Sequence, residues 1–194
     1  TMRYVPHHGP VIAMDEEAGT ALTLRWTGHD ADTDINYLLA AARATNLAEA
    51  KTAFSNLTAI GQNIVVADTA GGIGWYPFNR LPQRPWVGEY PSWMPLPGTG
   101  EAEWGDWIDY DDLPQLTNPE TGYIATANND MTGASFDGDP SNDGELAIQI
   151  FVAPGYRHGR ISELLEERTD HDLASMEAIV GDNYSLLGRH LLPN

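Results

Sequence analysis

Cysteine is absent from the 194-residue sequence, which excludes a disulfide framework and any thiolate metal site. That absence does not choose a compartment. Lysine is nearly absent too: Lys51 stands alone, the other cations are arginine, and 28 Asp and Glu face ten Lys and Arg. The formal charge of -18 argues against nonspecific nucleic-acid binding, because a phosphate backbone needs clustered Lys and Arg. It also opposes adsorption to anionic membrane surfaces. Such an acid-rich, lysine-poor surface keeps a protein soluble and suits a salty habitat. No apolar run reaches about 18 residues, so no membrane span is expected. The opening TMRYVPHHGPV lacks a basic region followed by an apolar stretch, so no signal peptide is expected in this chain. Thr1 without a preceding Met suggests excision from something longer. No internal repeat stands out, which argues against a solenoid.

What is present is a chain long enough for one domain with a real core, or for part of a larger one, with 42% hydrophobic residues and six tryptophans against wholesale disorder. Two apolar-rich runs, Val11–Met14 and Ala21–Trp26, flank the acidic turn-like stretch Asp15–Gly19 and predict a β-hairpin. Leu38, Leu39 and Ala42 recur at helical spacing and predict a helix over 35–42. A second helix is expected after Asn46, an N-cap with Glu49 at capping-box spacing, running through Ala50, Phe54 and Leu57. Asn63–Asp68 and Ile73–Tyr76 read as a second hairpin joined by a two-residue turn at Gly71-Gly72. The stretch 77–119 holds most of the prolines and four of the six tryptophans, and reads as an ordered irregular excursion, since aromatic-rich loops need packing partners. Gly122–Ala127 reads as a strand ending in Asn128-Asn129, Asp137–Glu145 as an acidic loop, and Arg157–Glu167 and Asp172–Val180 as amphipathic helices. The class is α+β with hairpins and flanking helices.

Few residues suggest chemistry unaided. His7-His8 resembles a metal pair, but adjacent strand residues point to opposite faces and no further histidine follows at a metal-ligand spacing, so a structural or solvent role is expected. Thr1 could serve as an N-terminal nucleophile with its α-amine as base; nothing after it supports a catalytic threonine. The loop from Asp137 to Glu145 alternates oxygen ligands as calcium prefers, yet fails as an EF-hand because Asn142 and Ile148 occupy the required Gly and Glu positions. A solvated acidic loop and a calcium site both remain open for it. Asn128 and Asn129 offer neutral amide donors able to meet a developing oxyanion, or are ordinary turn formers. Arg157 could orient a carboxylate or simply anchor the final helices.

Several segments, taken in order, form a specific series. They are His8-Gly9-Pro10-Val11-Ile12, Ala21-Leu22-Thr23-Leu24-Arg25-Trp26-Thr27-Gly28, Gln62-Asn63-Ile64-Val65-Val66-Ala67-Asp68 with Gly71-Gly72-Ile73-Gly74, and Leu81-Pro82-Gln83-Arg84. Pro95-Leu96-Pro97-Gly98-Thr99-Gly100 and Leu113-Pro114 follow. The most specific is Asn118-Pro119-Glu120-Thr121-Gly122-Tyr123-Ile124-Ala125-Thr126-Ala127-Asn128-Asn129, and Tyr156-Arg157-His158-Gly159-Arg160-Ile161-Ser162-Glu163-Leu164-Leu165 completes the series. Together these segments resemble the penicillin acylase (penicillin amidase) family of N-terminal-nucleophile hydrolases.

The resemblance implies a fold that is part of a four-layer αββα sandwich. Residues 1–194 then form a single segment from the middle of the β chain, without the nucleophile-bearing N-terminus or the α chain. The parent protein would cleave acyl amides, such as β-lactam side chains, acyl-homoserine lactones or lipopeptide acyl groups, through an N-terminal serine outside this chain. By motif, Asn128 matches the oxyanion-hole asparagine and Arg157 an arginine that holds the catalytic geometry. Gln62 and Ile150 match pocket positions, the polar Gln62 standing where relatives are often apolar. No cofactor is implied for the chemistry. A structural calcium is implied, with Asp143 as its matching ligand. The implied partners are the α chain and the rest of the β chain, with an acyl amide as substrate, and the implied location is periplasmic or secreted. The isolated chain would be inactive. A non-catalytic, calcium-holding acidic scaffold is the alternative, and calcium-dependent melting would distinguish it.

Overall fold

The structure is a computed structural model that describes residues 2–30, 33–59, 61–77, 80–132 and 152–192. Thr1, Asp143, Ile150 and the acidic loop Asp137–Glu145 lie outside the described residues. Among the described residues no helix is long and apolar enough to cross a membrane.

Among the described residues, two small antiparallel sheets carry the strands. The first has the order β1 (Tyr4–Val5), β2 (Gly9–Asp15), β3 (Thr20–Thr23). Its second hairpin is the one the apolar runs predict: Asp15 pairs with Thr20, the Asp15 carboxylate accepts the Ala18 N–H at 2.9 Å, and Gly19 takes φ +66°, where a side chain would be strained. The His7-His8 expectation changes here. The pair sits in the turn between β1 and β2, closed by His8 N–H donating to the Val5 carbonyl at 3.0 Å, so strand alternation does not separate the rings. Their centroids are 4.2 Å apart.

The second sheet has the order β4 (Val65–Ala67), β5 (Ile73–Trp75), β6 (Leu116–Thr117). The expected two-residue turn is wider, spanning 68–72, because the Asp68 carboxylate caps it by accepting the N–H groups of Ala70 and Gly72 at 3.0 and 2.9 Å. β6 emerges from the end of the stretch expected to be irregular. Asn118, at φ +49°, pins it: the side chain accepts the Ile73 N–H and its own N–H donates to the Ile73 carbonyl, each at 2.9 Å. Gly122–Ala127, expected as a strand, joins neither sheet. The groups at its end bond instead to Asn129 and Arg157.

Helices α1 (Asp34–Ala41) and α2 (Leu47–Phe54) form where periodicity and capping place them. Asn46 accepts the Glu49 N–H at 3.0 Å, while the Glu49 carboxylate reaches back to the N–H and hydroxyl of Thr45, one residue beyond the usual partner. Leu47, Ala50 and Phe54 of α2 pack with Leu57 and Tyr76 into the main buried cluster, against Tyr37, Ile64 and Val66. Burial of each large apolar side chain there stabilises the fold by roughly 1.5–3 kcal/mol. The Pro- and Trp-rich excursion has its own core of Trp86, Val87 and Ala102 against Leu96 and Trp104. Backbone bonds from Gln83, Gly105 and Ile108 zip residues 81–83 to 105–108, with Pro82 fully buried between them. The excursion is thus ordered by aromatic packing, as composition implies.

Three helices end the described chain: α3 (Tyr156–Glu166), α4 (Leu173–Gly181) and α5 (Leu186–Leu191). The first two match expectation within a residue. Asp172 closes a complete capping box with Ser175. α5 is too short for a periodicity signal and is recognisable only from Ser185, whose hydroxyl accepts the Gly188 N–H at 3.0 Å.

Candidate functional site

The segment 127–129 turns sharply because its two asparagines do different work. Asn129 is buried, and its side-chain oxygen accepts the Ala127 N–H at 3.0 Å while its amide donates to the Asp130 carbonyl at 3.2 Å. That side chain substitutes for ladder partners, which this backbone lacks among the described residues. Asn128 sits at φ +59°, a left-handed conformation that asparagine tolerates better than other non-glycine residues. Its carbonyl accepts the Ala153 N–H at 2.6 Å.

Arg157, in the first turn of α3, reaches back across this bend. Its Nη2 donates to the Ala127 carbonyl at 2.6 Å and to Asn128 Oδ1 at 2.9 Å. A guanidinium has no acceptor, so it fixes the amide with its oxygen inward. Asn128 Nδ2 is then the outward end, and among the described residues it has no acceptor. The result is an exposed, oriented N–H donor on a rigid bend, the arrangement needed to stabilise an oxyanion. Tyr123 adds a brace: its hydroxyl donates to the Glu166 carboxylate at 2.6 Å, tying the segment before the bend to the far end of α3. The hydrogen bond to Glu166 also pushes the Tyr123 phenol up from its ordinary value.

Of the residues singled out from sequence, the structure therefore joins Asn128 and Arg157. Gln62 is exposed and makes no hydrogen bond to either. Its neighbour Asn63 accepts the Trp75 indole N–H at 2.9 Å, a structural contact. Ile150 and Asp143 lie outside the described residues.

A second feature was not singled out from sequence. Three of the arginines, Arg25, Arg80 and Arg84, line one open cleft of about 320 Å³ together with Trp26 and Trp104. Arg25 lies over the Trp104 ring at 4.8 Å, Arg80 over Trp107 at 3.9 Å, and burial pushes Arg84 down from its ordinary value. Arg80 and Arg84 stand close in sequence, but Arg25 lies far ahead of them, so the sequence carries no signal that the three meet.

The penicillin amidase family model matches residues 1–194. The chain is 40% identical over 181 residues to the penicillin acylase 2 proenzyme of Pseudomonas sp. strain SE83, covering 92% of this chain and 22% of that protein. It is 33% identical over 132 residues to the acyl-homoserine lactone acylase QuiP of Pseudomonas fluorescens Pf-5, covering 64% of this chain and 16% of that protein. A thermostable penicillin G acylase from Alcaligenes faecalis superimposes with TM-score 0.71 and 25% identity over 92% of this chain and 30% of its own. The chain thus spans about a fifth of the length of the curated relatives it matches.

Proposed function

The chain belongs to the penicillin amidase family, and from that premise we propose that the protein carrying it hydrolyses acyl amides by acyl transfer, with Asn128 as an oxyanion donor. The observation that carries this reading is the Arg157–Asn128 hydrogen bond, which leaves Nδ2 as a fixed outward donor. In the proposed reaction the Oγ of an N-terminal serine outside this chain attacks the amide carbon, giving its proton to its own α-amine. Negative charge develops on the former carbonyl oxygen, and Asn128 Nδ2 donates to it. Collapse breaks the C–N bond, the departing amine takes the proton, and water then releases the acyl group from serine.

The names of the relatives support a small acyl amide as substrate, with β-lactam side chains and acyl-homoserine lactones as the two classes to test first. Gln62 and Ile150 would line the acyl pocket, and Asp143 would bind a structural calcium. These assignments, the completion of the sheets into a four-layer αββα sandwich by the remainder of the enzyme (an α chain and the rest of a β chain), and a periplasmic or secreted location all rest on the family resemblance. The isolated chain would be inactive, because amide hydrolysis needs nucleophile, base and donors in one geometry.

The deciding experiment is Asn128→Ala in the whole enzyme, assayed by chromophore release from acyl-anilides. The expected loss in kcat is about 100-fold or more. A rate close to that of the parent enzyme would sink the assignment.

A further inference from the structure

At the turn between β1 and β2, three potential metal ligands converge without any role in the reaction proposed above. His7 and His8 are adjacent in sequence, and Glu103 arrives from the far side of the excursion, 95 residues from His8. One ligand atom from each of the three lies within 4.8 Å of the others. His8 Nε2 and Glu103 Oε1 are already 2.6 Å apart. We propose that His7, His8 and Glu103 form a binding site for a borderline divalent cation, with zinc as the best fit.

The donor set argues for that class of ion. Two imidazole nitrogens and one carboxylate oxygen suit zinc and its neighbours, whereas calcium and magnesium take oxygen ligands almost exclusively. Three protein ligands leave one position for water, as in open tetrahedral sites. Zinc bonds of about 2.1 Å at tetrahedral angles require ligand atoms about 3.4 Å apart. The His8–Glu103 contact must open by less than 1 Å from its 2.6 Å and the widest separation must close from within 4.8 Å. Small rotations suffice, since His7 is exposed and Glu103 keeps 42% of its side chain in solvent.

The scaffold around the ligands is fixed. His8 N–H closes the turn on Val5, the Arg25 guanidinium donates to the His7 carbonyl, and Gly98 lies against the His8 ring, where an added Cβ would fall 3.7 Å from it. Arg25 also stacks on Trp104, next in sequence to Glu103, so the same cation ties both sides of the site together. It places a positive charge nearby, and Arg80 and Arg84 line the same cleft as Arg25 and Trp104, while the -18 formal charge of the chain as a whole attracts cations.

The test uses the whole, untagged protein, treated with chelator and dialysed, then titrated with Co²⁺ alone as a visible probe and with Zn²⁺ as competitor. Expected are saturable d–d absorption of low-coordinate cobalt, its displacement by Zn²⁺, and a melting temperature raised by Zn²⁺. His7→Ala, in an exposed turn, and the isosteric Glu103→Gln should each weaken binding by at least about tenfold, the loss already typical of groups behind the ligands. Both variants should melt near the parent temperature without metal. Absence of the cobalt bands, or binding unchanged in both variants, would overturn the proposal.

Discussion

Arg157 Nη2 donates to Asn128 Oδ1 at 2.9 Å, and this bond determines which end of the Asn128 amide faces outward. Arg157 is therefore a positioning residue in the proposed reaction. Arg157→Ala in the whole enzyme is expected to lower kcat by up to about 100-fold with a smaller change in KM, since misplacing a donor by an ångström has that scale of effect. Arg157→Lys, which keeps a cationic donor, should retain more activity. In an Asn128→Ala background, Arg157→Ala should add little, because the two act as a unit. Independent, additive losses would show that Arg157 acts elsewhere.

The neighbouring asparagines should respond oppositely to mutation. Asn128 is exposed at φ +59°, so Asn128→Gly suits the backbone and removes only the amide. It should melt near the parent temperature while losing activity. Asn129→Ala leaves the N–H of buried Ala127 without its acceptor and should cost about 1–3 kcal/mol of stability. Melting curves and rates of the two variants check the split; equal melting losses would contradict it.

How far the sequence carries can be judged from individual residues. Local signals are accurate where one element carries its own instructions: Asn46 caps its helix as expected, the helix expected over Asp172–Val180 forms one residue later with Asp172 as its cap, and Asp15–Gly19 turns a hairpin. Motif resemblance marks Asn128 and Arg157 separately, but the hydrogen bond between them is not legible in the sequence, because 29 residues separate the two. Strand status failed for Gly122–Ala127, whose apolar β-prone composition cannot reveal whether a partner strand is present, and β6 was missed because its pairing depends on Asn118 rather than on its own two residues. The His7-His8 turn was misjudged for a related reason. Alternation holds for a strand, and only the closing bond to Val5 makes that segment a turn.

Asp34 links α1 to the residues following α2. Its carboxylate accepts the N–H groups of Thr58 and Ala59, at 3.2 and 2.9 Å through Oδ2, and the Thr58 hydroxyl at 2.8 Å. Burial alone would push its pKa up; the hydrogen bonds from Ala59 and Thr58 outweigh this and hold it below its ordinary 3.8. The folded state thus prefers the charged form more than the unfolded chain does. This contribution is complete above the ordinary value and is lost as the pH falls through the lower native value. Asp34→Asn should destabilise the whole protein by on the order of 1 kcal/mol at neutral pH, the scale of a charge-assisted bond. The difference in melting temperature from the parent should shrink as the pH drops below 3.8. A difference that stays constant into acid would refute the charge as its source.

Arg160 and Arg189 tie together the helices behind Arg157. Arg160, one turn along α3, grips Asp182 at the end of α4 with two bonds, Nε to Oδ1 at 3.1 Å and Nη2 to Oδ2 at 2.8 Å. Its Nη1 reaches Glu163 at 3.3 Å, Glu163 in turn accepts from Arg189 of α5 at 2.8 Å, and the guanidinium lies 4.9 Å from the Tyr184 ring centre. The bond from Arg160 holds the Asp182 carboxyl below the usual carboxylate range, and that from Arg189 does the same for Glu163. A lysine supplies the charge but neither the planar fork nor the stacking surface. Arg160→Lys should therefore lose most of the melting temperature that Arg160→Ala loses. Because Arg157 sits one turn away on the same helix, kcat should fall in both variants in the same order. In the parent, Asp182 contributes fully above the ordinary carboxylate pKa and progressively less as the pH falls through its depressed native value. The gap between the parent and Asp182→Asn should accordingly narrow in acid. Melting the four proteins across that pH range tests both claims, and an Arg160→Lys variant indistinguishable from the parent would show that charge alone suffices.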